Sequence, residues 1–236
     1  MENIFSTELD EPFDITDFEQ LISELSHAIV IFPEAAGSFA ETGYFSAIEP
    51  IAKRCILVLN LQFQNEDSFI SLGPAKKIGE KSVFQPIIQI DYDHPRFDTI
   101  SERIRRINQK KYKKHLLFEK FKDLNTYELS CLIHEIVSIL TIATMDDIIF
   151  TFKVIFENRH SAPKVRKLVS VLVGAEYLGH LGEYGHMSIN SNKPKLLELR
   201  DGYVKEERAI RLSLAEIYQD SDADFLALVE SSRDVN

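Results

Sequence analysis

The chain has 236 residues, a formal net charge of −10 and a hydrophobic content of 44%. That length fits one large or two small domains. No apolar run approaches the ~20 residues of a membrane span, and the acidic balance argues against indiscriminate coating of nucleic acid. The two cysteines, Cys55 and Cys131, lie far apart inside apolar segments. Neither a disulfide framework nor a zinc cluster is expected, and a reducing, cytoplasmic setting is.

The first residues lack a basic start followed by an apolar core, so no signal peptide is expected. Residues 1–13 have no clear period and read as a surface run. Thr16-Asp17-Phe18-Glu19 has the pattern of a capping box, and Phe18, Leu21, Ile22 and Leu25 then recur on one face of a helix. The apolar run 28–32 is too short for a helix and rich in β-branched residues, so it reads as a buried strand. Pro33 ends its ladder for want of an N–H. Residues 34–37 read as a tight turn in which Gly37 supplies conformational freedom. Ser38 reads as the N-cap of the next helix, with Glu41 three residues later completing a capping box. In an open α/β sheet, ligands bind at the carboxyl ends of strands beside helix N-termini. Glu34, Ser38 and Glu41 are expected to converge there. The plainer reading is a helix cap preceded by a turn residue.

Residues 55–59 form a second fully apolar strand that ends at Asn60, 62–67 a polar loop, Gly73-Pro74 another break, and 87–90 a third strand. Apolar strands alternating with helices predict a parallel sheet covered by helices. From Arg96 the character changes. Arg103, Arg105, Arg106, Lys110, Lys111, Lys113 and Lys114 punctuate a helical segment. A solvated linker helix and a phosphate-contacting stripe both fit it, and Tyr112 offers one ring for stacking.

Asn125-Thr126-Tyr127-Glu128 caps a helix with a broad apolar stripe, and Asp146-Asp147 starts another. Ser161-Ala162-Pro163 starts a third, which Gly174 ends. Residues 177–189, with glycines at 182 and 185, predict a hairpin whose turn needs positive φ. His180 and His186 could face each other across that hairpin. Surface histidines are the expectation, and no metal site. Three helices and a hairpin are the order of a winged helix, with residues 161–174 as the groove-facing helix. Arg159, Lys164, Arg166 and Lys167 are then the candidate nucleic-acid contacts. The wing tip carries Glu183 rather than a cation, and docking onto a protein fits as well as DNA contact. A further helix is expected near 206–218, followed by an acidic end.

The block 33–46, PEAAGSFAETGYFS, resembles the PESPGSF-x-ELGAFS signature of the ribosyltransferase/DNA-binding effector proteins of bacterial retrons. It is more distantly similar to the GT-x-x-E-x-G motif of nucleoside 2-deoxyribosyltransferases. Residues 68–74, SFISLGP, resemble the same effectors' SFI-x-x-GP. The resemblance implies an α/β domain with a deoxyribosyltransferase-like parallel sheet over 1–95, a basic linker helix over 96–122 and a winged-helix-type domain over 123–236. The family's sheet usually begins with one more strand and helix, carrying a glycine-rich turn. No such unit is expected here, which leaves the sheet short of a central strand.

The resemblance also implies a role. The chain would be a toxic effector of a retron anti-phage system, an N-glycosidase or ribosyltransferase acting on an NAD-like nucleotide as substrate, with no cofactor. Glu41 takes the nucleophile's position. Glu34, Gly37, Ser38, Ser68 and Gly73 are the implied substrate contacts; for Ser68 and Gly73 a packed Phe69-Ile70 with a structural Gly-Pro turn is the competing reading. Implied partners are the retron reverse transcriptase with its RNA–DNA product, DNA, and a second copy of the chain, without a membrane. Two alternatives stand beside this: a deoxyribosyltransferase with no defence role, and a non-catalytic winged-helix adaptor that docks onto nucleoprotein.

Overall fold

The computed structural model describes residues 15–63, 70–84, 87–107, 119–182, 185–197, 201–220 and 223–234. They fall into two compact units, 15–107 and 119–234.

The first unit is built on three parallel strands, β1 (Ile29–Ile31), β2 (Cys55–Asn60) and β3 (Ile87–Ile90), in the order β1-β2-β3. Ile29 pairs with Cys55, and Leu57 with Ile87. The strands are neighbours by direct hydrogen bonding. Among the described residues the sheet has three strands, with β1 directly against β2. Alternation along β2 sends its side chains to two cores. Ile31, Cys55 and Leu57 pack with Phe45, Ile51, Ala75 and Ile78 from the helices α2 (Ala36–Ala47), α3 (Glu49–Ala52) and α4 (Lys76–Lys81). Ile56, Val58, Ile88 and Ile90 pack on the other face with Phe84 and with Ile100 of α5 (Asp98–Ile107). Helices on both faces are what burying both sides of apolar parallel strands requires. β3 is only half buried: Ile88 and Ile90 face inward while Ile87 and Gln89 are exposed.

Helix α1 (Ile15–Leu25) precedes β1. It already includes Ile15, so Thr16 lies inside the helix rather than at its cap. Its carboxyl end has no cation of its own in the last turn. Arg54, just before β2, supplies one: its guanidinium donates to the carbonyls of Ser23 at 3.1 Å, Glu24, and Ser26 at 3.2 Å.

The second unit is mostly helical. In α6 (Thr126–Leu140) the Asn125 side chain accepts from the Glu128 N–H at 2.9 Å, and the Glu128 carboxylate accepts from the Asn125 N–H at 2.8 Å. This is the capping box read from the sequence. Helix α7 (Met145–Ile155) is capped by Thr144, with Asp147 reaching back to it at 2.8 Å. Helix α8 (Ala162–Gly174) has Ser161 as N-cap. A hairpin follows, β4 (Leu178–Leu181) and β5 (His186–Ile189), with φ of +64° at Gly182 and +69° at Gly185. Leu181 pairs with His186 and His180 with Met187. The two histidines thus do not face each other; a turn of four residues sets the register one position away. Ala143, between α6 and α7, pairs antiparallel with Met187 and ties the first helix connection to the hairpin. Leu129, Ile133, Ile148, Phe152, Leu168 and Met187 are fully buried and form the core. Two helices complete the unit, α9 (Asp201–Gln219) and α10 (Ala223–Asp234). Among the described residues no helix is long and apolar enough to cross a membrane.

Candidate functional site

The carboxyl rim of the sheet carries the sequence block at 33–46. The chain leaves β1 through Phe32, Pro33 and Glu34 and enters α2 with Ala35 as the N-cap residue. Ser38 is the third residue of the helix, not its cap. Its hydroxyl works backward. It accepts from the N–H of Glu34 at 2.9 Å and of Ala35 at 3.1 Å, and it donates to the Ala35 carbonyl at 3.0 Å. An alanine cannot satisfy orphan amides, so the serine one turn on does so. The helix begins earlier than expected because the sheet releases the chain at Phe32. Gly37 accordingly sits inside the first turn; its φ is not positive, and a Cβ there would meet nothing within 4 Å.

Glu41 lies one turn beyond Ser38 on the same side of α2, half-buried beside the core-facing residues Thr42, Phe45 and Ser46. Its carboxylate makes no hydrogen bond or ion pair with the described residues. Its electrostatic neighbour is Glu19 of α1. Burial, and secondly the Glu41 charge, push the Glu19 carboxyl above the usual glutamate range. Tyr44 reaches Gln20 of the same helix at 3.5 Å, so this flank of α2 looks toward α1. Sequence reasoning missed Glu19 because nothing in spacing relates α1 to α2; only the docked helices bring the two carboxyls together.

Glu34 is exposed and has a different neighbour. Its charge bears on Tyr92, just past β3, whose hydroxyl is pushed up to about 12, mainly by burial and then by Glu34. Tyr92 donates to the Val58 carbonyl at 2.7 Å. The Glu34 charge thus bears on Tyr92 beyond β3, and the Glu41 charge on Glu19 of α1. Gly73 lies in a short π-helical turn, Ser71–Ala75, that packs against α2. The two sequence blocks are thereby brought side by side, with open space where a Gly73 side chain would stand. Ser68 lies outside the described residues, as do Lys110, Lys111, Tyr112, Lys113, Lys114 and Glu183.

In the second unit Arg159 is exposed after α7, while Lys164, Arg166 and Lys167 are half-buried along α8. Arg166 is held by Asp146 at 3.7 Å. A cavity of about 490 Å³ lies in this unit, lined by Ser138, Thr141, Lys195, Arg211, Tyr218 and Glu230 among others. None of the site residues anticipated from the sequence lines it.

Residues 1–180 match the family model described as STM3845 retron effector protein. The chain belongs to that family of retron effectors. The match runs from the chain's first residue to β4 and leaves α9 and α10 beyond it. Two curated Escherichia coli proteins are similar to this effector over a shorter stretch. The "Retron Ec73 putative ribosyltransferase/DNA-binding protein" is 39% identical over 69 residues, 29% of this chain and 22% of that protein. The "Retron Ec86 putative ribosyltransferase/DNA-binding protein" is 34% identical over 74 residues, 30% of this chain and 24% of that protein. The matched stretch thus spans less than a quarter of either relative.

Proposed function

We propose that this retron effector is an N-glycosidase of an NAD-like nucleotide, with Glu41 as nucleophile, and that its second unit docks it onto its retron partners. One observation carries the enzymatic reading: one turn beyond Ser38, in the sequence block at the carboxyl rim, the half-buried Glu41 carboxylate has no cation or hydrogen-bond partner among the described residues. A carboxylate free to attack an anomeric carbon is what retaining glycoside cleavage uses. In the first step the Glu41 carboxylate bonds to the anomeric carbon as the carbon–nitrogen bond to the cationic, nicotinamide-type base breaks; the electron pair leaves with the base, which departs neutral and needs no proton. Water then attacks the same carbon, its proton passes to solvent, and Glu41 is released as the carboxylate. Ser38 anchors the turn that carries Glu34, whose carboxylate is free to accept from ribose hydroxyls. The relatives' names, and the family's retron setting, support a ribosyl substrate and a reverse transcriptase with its RNA–DNA product as partner.

The test is release of free base. The effector, assayed with its retron components, should liberate nicotinamide or another base, and Glu41→Gln should abolish release while keeping the fold. Intact nucleotides with both proteins would overturn the reading.

For the second unit, helix–bridge–helix–helix–hairpin is the order of a winged helix. Within that reading a protein partner is favoured over DNA. Phe150 and Val154 of α7 are 63% and 62% exposed, directly opposite the buried Phe152, and Arg166 is already paired. Partner binding that changes little with salt supports docking; a steep fall with salt, lost on changing Lys164 and Lys167, would support DNA.

A further inference from the structure

Three rings meet at the carboxyl rim, on the α5 side of the sheet. Phe32 leaves β1, Tyr92 leaves β3, and Phe97 opens α5. Phe32 stands edge-on to Tyr92, with ring centres 6.0 Å apart, and to Phe97 at 6.2 Å. The two lower rings are held: Phe32 and Tyr92 pack on the core, and the Tyr92 hydroxyl is bound to Val58. Phe97 is different. It is 53% exposed; its carbonyl accepts from the Ser101 N–H at 3.1 Å in the first turn of α5, and its ring rests against Phe32. A half-exposed ring resting on a packed one leaves aromatic surface open to solvent.

Nearby in the chain, carboxylates outnumber bases: Arg96 pairs with Asp98 at 3.2 Å and His94 lies 3.5 Å from Asp91. Asp91 and Asp93 flank Tyr92 in the chain, and Glu34 follows Phe32 by two residues. Asp93 accepts from the Gln62 side chain at 2.9 Å, and Asp91 from the Asp93 N–H at 3.0 Å. These bonds leave carboxylate lone pairs unused. Aromatic surface beside carboxylates suits an aromatic ring whose edge carries amino hydrogens. We propose that Phe97, backed by Phe32 and Tyr92, is the stacking platform for an amino-bearing base of the nucleotide. This subsite rests on the glycosidase reading for its ligand class, though not on Glu41 for its geometry.

The experiment is a binding titration of the full-length Glu41→Gln protein, which cannot turn over, with adenosine and with free ribose as probes, followed by ligand-observed NMR. Adenosine should bind and ribose should not compete. Phe97→Ala should weaken adenosine about 5- to 150-fold, the range of one base–aromatic stack, and Phe97→Tyr should restore it. Because the ring is half exposed, the alanine variant keeps the fold, which circular dichroism checks. Unchanged adenosine affinity in Phe97→Ala overturns the subsite, even where the wild-type effector releases base. Selective loss in Phe97→Ala upholds it, even where no nucleotide is cleaved and the glycosidase reading fails. If adenosine does not bind at all, the subsite is overturned.

Discussion

Replacing Glu41 by glutamine should stabilise the protein at neutral pH. Glu19 is pushed above the ordinary glutamate value of 4.5 by burial and by the Glu41 charge. A carboxyl whose pKa is raised on folding costs nothing below the unfolded value, where it is protonated in both states. The cost grows as pH rises through 4.5 toward the folded pKa, and is constant above it. Removing the Glu41 charge relieves the electrostatic part and leaves the burial part. Both groups are partly solvated, so the relief is that of a screened like-charge pair, about 0.2–0.5 kcal/mol. In a unit of about 90 residues this raises the midpoint by roughly 1–4 °C. With no tryptophan in the chain, thermal unfolding is best followed by far-ultraviolet circular dichroism. Glu19→Gln should stabilise as well, and more, because it also removes the burial cost. The double variant should gain less than the sum, since the repulsion is lost only once. A lower midpoint for Glu41→Gln at pH 7, or an equal gain below pH 4.5, would refute the reasoning.

Leu57→Ala should cost about 2–5 kcal/mol, because Leu57 is fully buried at the centre of the three-stranded sheet; in a denaturant titration the sheet unit should then unfold ahead of the helical one. Glu135 is buried, and burial, then Glu207, raise its carboxyl against the opposing pull of Lys195 and Arg211. Its contribution to stability is therefore lost as pH rises through its folded value, and Glu135→Gln should flatten that decline in melting temperature measured from acid to neutral pH.

Much of the scaffold was legible because burial leaves a plain mark on sequence. Residues 55–60 and 87–90 are strands where the apolar runs stand, and Ser161, Asn125 and the two hairpin glycines behave as their chemistry dictates. The rim was read less well, for a physical reason. A serine three residues before a glutamate has the same spacing whether it caps a helix or sits in its first turn and reaches back. What decides is where the sheet lets go of the chain, and that is a tertiary fact. The same holds for Glu41, whose carboxyl partner comes from a helix 22 residues earlier rather than from the turn beside it, and for Phe97, which looks like a lone exposed aromatic until Phe32 and Tyr92 are seen beneath it. His180 and His186 missed each other because hairpin register depends on turn length, which glycines at both ends leave open.

The guanidinium of Arg54 has a consequence for synthesis. The first helix ends with carbonyls that no residue of its own can neutralise, and their donor is translated about 30 residues later. During elongation α1 therefore lacks this cap until Arg54 has been made. A nascent chain truncated before Arg54 should therefore leave residues 15–25 more open to proteases than one that includes it.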